Sequence, residues 1–324
     1  MKSAKIVLMY GMVCVLLCAC KREEVFIYTV NVSTYDPGIG VLNKISFANS
    51  DMGFISTANG KVLKTTNQGA TWSAVTVGTA NLNLQWLSTP AAQALYVSGK
   101  ESSNGKFYRS LDSGDTWIMM PGNFNFELID FPSANRGYMI SAGSLYKTNN
   151  GGSLWNYTNG LGTVDPQVLA FSSNDTGMVV GFDNDAYITT NGGAITTQVY
   201  GLGFGNGKKT VDIKFISSLQ GYAIDYQGGI LATHNAGNTW TGLRLSTETV
   251  GEDYETYAVD AYGSTICAVG DRALLISKDG GSTFNNYYDQ QGISIPDVFV
   301  DVAVVSAAKI IAIGTSGKIY TITF

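Results

Sequence analysis

The chain has 324 residues, 45% of them hydrophobic and only 14% charged, with 38 Gly, 6 Pro and a formal net charge of −5. That length holds one large all-β domain or two ordinary ones, and the composition is unlike that of a disordered chain. The acidic balance, with no concentrated basic stripe, excludes nucleic acid as a partner, because such binding rests on clustered Lys and Arg.

The N-terminus reads as an export device. Lys2 and Lys5 precede the apolar run Ile6 to Leu17, which is too short to span a bilayer comfortably and has the form of a signal h-region. Leu17-Cys18-Ala19-Cys20 resembles a bacterial lipobox, with small Ala19 before a cysteine whose thiol would accept lipid. Residues 1–19 are therefore expected to be a removed lipoprotein signal peptide, and residues 20–24 the lipidated Cys20 followed by a charged tether. Lys21-Arg22-Glu23-Glu24 resembles the surface-export tags of Bacteroidetes lipoproteins. The expected location is the cell envelope, in the outer membrane with surface exposure, held by acyl chains that anchor stably when two or more act together. Only Cys20 and Cys267 remain after cleavage, so no intramolecular disulfide is expected. Cys267, inside the apolar "STICAVG", is expected to be a buried thiol acting as a small hydrophobe.

From there an octet recurs: "TTNQGATW", "SLDSGDTW", "TNNGGSLW", the decayed "TTNGGAIT", "THNAGNTW" and "SKDGGSTF". Its Asn/Asp positions are Asn67, Asp112, Asn150, Asn191, Asn235 and Asp279, and four copies end in Trp72, Trp117, Trp155 and Trp240. A period of about forty residues with hairpin-like content marks a propeller array. Each unit opens with an apolar run ("KISFAN", "LIDFPS", "DIKFIS"), turns through a Gly-aromatic pair ("DMGF", "NRGY", "LQGY"), and continues in a second run. A third strand enters the octet and a fourth leaves it. Four short strands with turns between them make one blade. Asp301–Ser306, Lys309–Gly314 and Lys318–Thr323 supply three strands of a seventh unit. Its fourth is expected from the other end of the chain, in Glu24 to Val30, which would close the ring and remove open sheet ends. The fold class is thus all-β: a seven-bladed β-propeller of four-stranded blades over residues 25–324, closed by the N-terminal strand pairing with the last blade.

The octet itself reads as a structural clip. Asp or Asn accepts hydrogen bonds from turn amides, Gly takes positive φ, and the Trp buries a large ring. Asn replaces Asp in four of the six copies, which a reaction requiring a carboxylate would not accept. The pattern resembles the Asp-box, or BNR repeat, S-x-D-x-G-x-T-W. "GYAIDYQGGILATHNAGNTW", Gly221 to Trp240, resembles the photosystem II stability/assembly factor-like propellers, which are related to sortilin and sialidase propellers. That resemblance implies the fold and leaves the activity open, since hydrolases, sorting receptors and assembly factors share it.

In such propellers the face carrying the strand 2–3 and 4–1 loops is the expected ligand face, opposite the clips. The three arginines implied for a sialidase are missing, because only Arg244 and Arg272 could reach that face. The loop acids Glu101, Asp183, Asp185, Glu252, Asp253, Glu255, Asp289 and Asp297 do not single out a catalytic pair. The Asp183/Asp185 pair is too short a motif for a calcium loop. The only histidine, His234, occupies a variable clip position. No metal and no cofactor is expected, and no catalytic residue is assigned. The longest 4–1 loops, Tyr200–Thr210, Thr247–Tyr257 and Asn285–Phe299, come from consecutive units and carry aromatics beside acids. The expected partner surface comprises Phe204, Tyr254, Tyr257, Arg272, Tyr287, Tyr288 and Asp289. The functional expectation is a monomeric, non-catalytic binding or scaffolding module for a protein or glycan, with a loop-carboxylate glycoside hydrolase as the alternative.

Overall fold

The computed structural model describes residues 29–122, 124–161, 165–194, 196–200, 202–205, 208–245, 254–288 and 295–324. The expected signal segment, Cys20 and the expected tether lie outside the described residues. Among the described residues there are seven antiparallel sheets of four strands and no helix. Blade 1 is Leu42–Phe47, Gly53–Thr57, Lys61–Thr65 and Ser73–Thr76. Blades 2 to 6 repeat this plan, with first strands at Asn83–Ala91, Leu128–Asp130, Pro166–Phe171, Thr210–Phe215 and Glu255–Tyr262. Blade 7 has Phe299–Ser306, Lys309–Gly314 and Ile319–Thr323. The first strands of neighbouring blades lie beside one another around the ring, so they are innermost.

The ring closes at the expected place with a different segment. Asn31–Tyr35, and not Glu24–Val30, pairs antiparallel with Ile319–Thr323, running from Asn31 opposite Thr323 to Tyr35 opposite Ile319. The correction has a simple cause. A blade's fourth strand is its outer edge and needs little apolar surface, and Asn31–Tyr35 is mostly exposed, as is Ser73–Thr76 in blade 1. The more apolar stretch upstream drew the expectation seven residues too early.

Each clip is one hydrogen-bonded unit. In blade 2, Ser110 donates to Asp112 at 2.8 Å and accepts from the Gly114 amide at 2.8 Å, while Asp112 accepts from the Thr116 amide at 2.9 Å. The hydroxyl and amides, Thr116 above all, hold the exposed Asp112 carboxyl down at about 2. Asn and Asp interchange because the second side-chain atom adapts. Asp112 accepts from the Thr116 hydroxyl at 2.5 Å, whereas Asn67 donates its amide to the Thr71 hydroxyl at 2.8 Å. The glycine two residues after the Asn or Asp of each clip has positive φ and faces the preceding blade, where a Cβ would fall 2.2 Å from Ile311 at Gly69 and 2.7 Å from Phe54 at Gly114. Trp72, Trp117, Trp155 and Trp240 pack into the apolar clusters shared with the preceding blade. Their indole N–H groups are buried without a hydrogen-bond acceptor among the described residues, so packing holds the rings.

The Gly-aromatic turns also have a steric origin. Phe47, Phe131, Phe171 and Phe215 end or follow the innermost strands and lie flat on Gly53, Gly137, Gly177 and Gly221. The residue after the glycine, and Tyr96 after Leu95 at the equivalent place in blade 2, reaches the following blade. Tyr96 stacks on Phe131 with centroids 3.6 Å apart, and Tyr138 on Phe171 at 3.5 Å. The Tyr138 hydroxyl donates to the Asn174 carbonyl at 2.5 Å. Gly137→Ala would place a Cβ 2.3 Å from the Phe131 ring, and overpacking of that kind costs about 1–3 kcal/mol. Urea denaturation is expected to show that loss for Gly137→Ala and none for Gly242→Ala, whose nearest neighbour would be 3.8 Å away. Equal stability of the two variants would contradict this account.

Candidate functional site

The innermost strands have a free edge, and their outward amides need acceptors. Side chains of the neighbouring blade supply them in two tiers. Asp301 of blade 7 accepts from the Ile45 amide of blade 1 at 2.8 Å, and Asp212 of blade 5 from Val259 of blade 6 at 2.9 Å. One turn of the pleat further on, Ser88 accepts from Phe131 at 3.1 Å, Asp130 from Phe171 at 2.7 Å, and Asp260 from Val304 at 2.8 Å. Lys44 approaches Asp301 at 3.6 Å, and Lys214 approaches Asp260 at 3.9 Å.

Lys44, Ser88, Asp130, Asp212, Lys214 and Asp301 line a central cavity of about 570 Å³ that runs toward the clip face past Pro132 and Ser217–Ser218. Burial raises the Asp260 and Asp301 carboxyls above the ordinary range, against the pull of the lysines. Burial lifts Asp130 to about 6, opposed by the Phe171 amide and Lys214. Asp260 raises Lys214. Burial pulls Lys44 down, but Asp301 and Asp212 outweigh it and leave that ammonium above its usual value. The sequence shows these polar residues as interruptions in apolar runs ("KIS", "LID", "DIK", "AVD"). That was the signal for the ties, and the reading of loops alone passed over it.

On the opposite face the expected partner residues divide. Tyr287 is 2% exposed, in the core between blades 6 and 7, and Tyr288 packs on that core with its hydroxyl donating to the Asp297 carbonyl at 3.1 Å. Phe204 packs on the cluster shared by blades 4 and 5. Tyr254 lies under the Arg244 guanidinium, 5.5 Å from the ring centroid, and accepts a hydrogen bond from it. Tyr257 donates to Glu255 and sits 5.9 Å from the Tyr226 ring; burial and Glu255 push its hydroxyl up. Arg272 takes φ of +50° in the strand 2–3 turn of blade 6, with its side chain half-exposed. Asp289, Glu252 and Asp253 lie outside the described residues.

The remaining loop carboxylates have structural partners. Asp297 accepts from the Thr315 hydroxyl at 2.8 Å, the Tyr320 hydroxyl at 2.9 Å and the Ser316 amide at 3.1 Å; these donors lower its carboxyl despite burial. Glu101 accepts from Thr79, and Asp185 from Gln198 at 3.0 Å. Asp183 and Asp185 flank a turn at Asn184, whose side chain accepts from Thr210 at 2.6 Å. The described residues contain no group of three or more His, Cys, Asp or Glu placed to hold a metal ion. Cys267 is buried, and burial pushes its thiol well up, which keeps it inert.

Two recesses open on this face. One, of about 550 Å³, lies between blades 4 and 5 and is lined by Phe182, Lys208, Lys209, Val211, Tyr226 and Gln227 among others. Phe182 is 48% exposed and Tyr226 41%, and the Lys209 ammonium lies 3.1 Å from the Phe182 centroid. The other, of about 510 Å³, is lined by Trp86, Glu127, Leu128, Gly143, Asp165, Pro166 and Gln167. Gln167 borders both recesses, and Trp86 also borders the central cavity. The exposed aromatics Phe182 and Tyr226 sit on short strand 2–3 turns that loop length does not flag.

No family model matches the chain, and no curated protein does either. Solved structures do. YCF48 bound to a D1 peptide superposes with a TM-score of 0.71 at 16% identity, covering 92% of this chain and 98% of that one. YCF48 from Cyanidioschyzon merolae gives 0.69 at 18% identity, covering 90% and 98%. The GH74 enzyme of Niastella koreensis gives 0.68 at 15% identity; the match covers 87% of this chain and 52% of the enzyme. At these identities the likeness establishes a shared propeller fold.

The channel ties make a pH-dependent prediction. The folded Asp130 carboxyl lies at about 6, above its ordinary 3.8, so its favourable contribution is complete below 3.8 and is lost as pH rises through 6. Asp130→Asn keeps the acceptor and removes the titration. Its stability relative to the parent is expected to rise between pH 4.5 and pH 7.5 in denaturant titrations. Asp130→Ala removes the same titration but also leaves the buried Phe171 amide without an acceptor, so at both pH values it is expected to be less stable than Asp130→Asn by about 1–3 kcal/mol. An Asn variant whose stability relative to the parent does not change with pH would contradict the assignment.

Proposed function

We propose that this chain is a non-catalytic cell-envelope lipoprotein, anchored through lipid on Cys20, whose monomeric propeller binds or scaffolds a protein partner. The supporting observation is the recess between blades 4 and 5. It presents two large, half-exposed aromatic rings beside two lysine stems on one rim of the ring. Exposed aromatic surface with a polar border suits partner recognition. YCF48, similar in fold, was solved with a D1 peptide bound, which supports a protein over a glycan as the partner class.

The alternative, a glycoside hydrolase, needs two carboxylates free to act on one bond. The channel aspartates here accept backbone amides of neighbouring blades, and Asp297 is held by several donors. These engagements favour the binding reading.

Phe182→Ala combined with Tyr226→Ala tests it. Both side chains are substantially exposed, so the double variant is expected to fold with little loss of stability. In pull-downs from solubilised envelope, a protein captured by the parent chain is expected to fall about tenfold or more with the variant, the effect of removing aromatic anchors. Undiminished capture, or hydrolysis of a glycan that is lost on changing one aspartate, would overturn the proposal.

A further inference from the structure

Trp86 is the one tryptophan outside the clips. It occupies the channel-facing position that holds Lys44, Asp212 and Asp301 in blades 1, 5 and 7, and its ring borders the recess at blades 2 to 4. The turn of blade 3 leaves that recess open, because Ser141 pairs directly with Ser144 and Ala142 and Gly143 make a two-residue hairpin. A Cβ on Gly143 would meet nothing within 4 Å. Beside the indole stand the carboxylates of Glu127 and Asp165, the first accepting from the Asn125 amide at 2.8 Å, and the amide of Gln167. None of the described residues lining this recess is cationic, and the Lys44 ammonium, which approaches Asp301 of the channel, lies 5.6 Å from the Trp86 ring centroid.

We propose that this recess is a guanidinium site: it seats an arginine side chain of the protein partner, stacked on Trp86 and hydrogen-bonded by Glu127 and Asp165. The inference rests on the proposed protein-binding function and names the chemistry of its ligand. The sign of the charge decides between candidates. Two carboxylates with no cation in the lining attract a positive group and repel an anionic ligand, since the nearby Lys44 is balanced by Asp301 of the channel. The aromatic wall decides between cations. A planar, weakly hydrated guanidinium stacks on an indole and meets carboxylates through its fork of donors, which an ammonium does less well. Because Gln167 also borders the recess of Phe182 and Tyr226, one extended segment reaches both, with its arginine at one end and an apolar side chain at the other.

The test uses the soluble propeller labelled with nitrogen-15 and follows its five indole N–H signals, with that of Trp86 identified by Trp86→Phe. Titration with N-acetyl-arginine amide to ~50 mM, a range suited to a single side-chain contact, is expected to shift the Trp86 signal saturably and leave the clip signals in place. N-acetyl-lysine amide is expected to bind at least ~5-fold more weakly, and Glu127→Gln with Asp165→Asn to weaken the arginine probe by at least ~5-fold. These substitutions lie at the surface of the recess, so loss of folding does not confuse the reading. No shift with the arginine probe, an equal shift with the neutralised variant, or a shift with N-acetylglucosamine in its place would overturn the site. If the arginine probe fails while Phe182→Ala with Tyr226→Ala still abolishes capture of a partner, the guanidinium site alone falls and the binding module stands.

Discussion

The propeller depends on how its innermost strands are finished. A four-stranded blade has two edges, and the inner one cannot be left with bare amides facing the axis. The molecule meets this constraint with side chains rather than with another strand. Asp301, Ser88, Asp130, Asp212 and Asp260 each accept the amide of the next blade's first strand. Every such bond also fixes the height of one blade against its neighbour. The stacked Tyr–Phe pairs and the clip tryptophans, which always lean on the preceding blade, repeat the same instruction farther from the axis. The cost is visible in the channel, where carboxyls are raised by burial and two lysines are drawn in to balance them.

This arrangement separates stability from recognition. The clip face carries the turns that hold the blades together, through contacts such as the Lys64 ammonium to Asp115 of the next clip at 2.6 Å and Arg109 to the carbonyl of Gly151 at 3.1 Å. The opposite face carries the strand 2–3 and 4–1 loops, some of them tied across blades, as Thr210 is to Asn184 at 2.6 Å, and between them the two recesses open. Its two recesses share Gln167 and present Trp86 at one end and Phe182 with Tyr226 at the other. Chemistry there can vary without disturbing the ring, because function lives in sites carried by a fold.

Much of the fold was legible in the sequence because the clip is local. A hydroxyl, an Asx residue and a glycine within five positions close their own hydrogen bonds, so spacing alone identifies them, as at Ser110, Asp112 and Gly114. The closing strand was less legible. Asn31–Tyr35 is an outer edge with one pairing partner far away in sequence, and it is less apolar than the stretch before it. The candidate surface was legible only by sector. Tyr287 and Phe204 have the same composition as an exposed anchor, but their rings turn inward to fill the space under long loops, and that direction is set by packing. The inner ties were written as single polar residues in apolar strands, a pattern whose meaning emerges once the neighbouring blade is known.

Native-state amide hydrogen exchange tests the central claim most directly. The amides of Ile45, Phe131, Phe171, Val259 and Val304 belong to edge strands that face a channel, yet each is held by a side chain of another blade. They are expected to exchange as slowly as the ladder amides in the middle of their blades, through opening that approaches global unfolding. Rapid exchange at these five positions, comparable to that of exposed turn amides while the central ladders stay protected, would contradict the account.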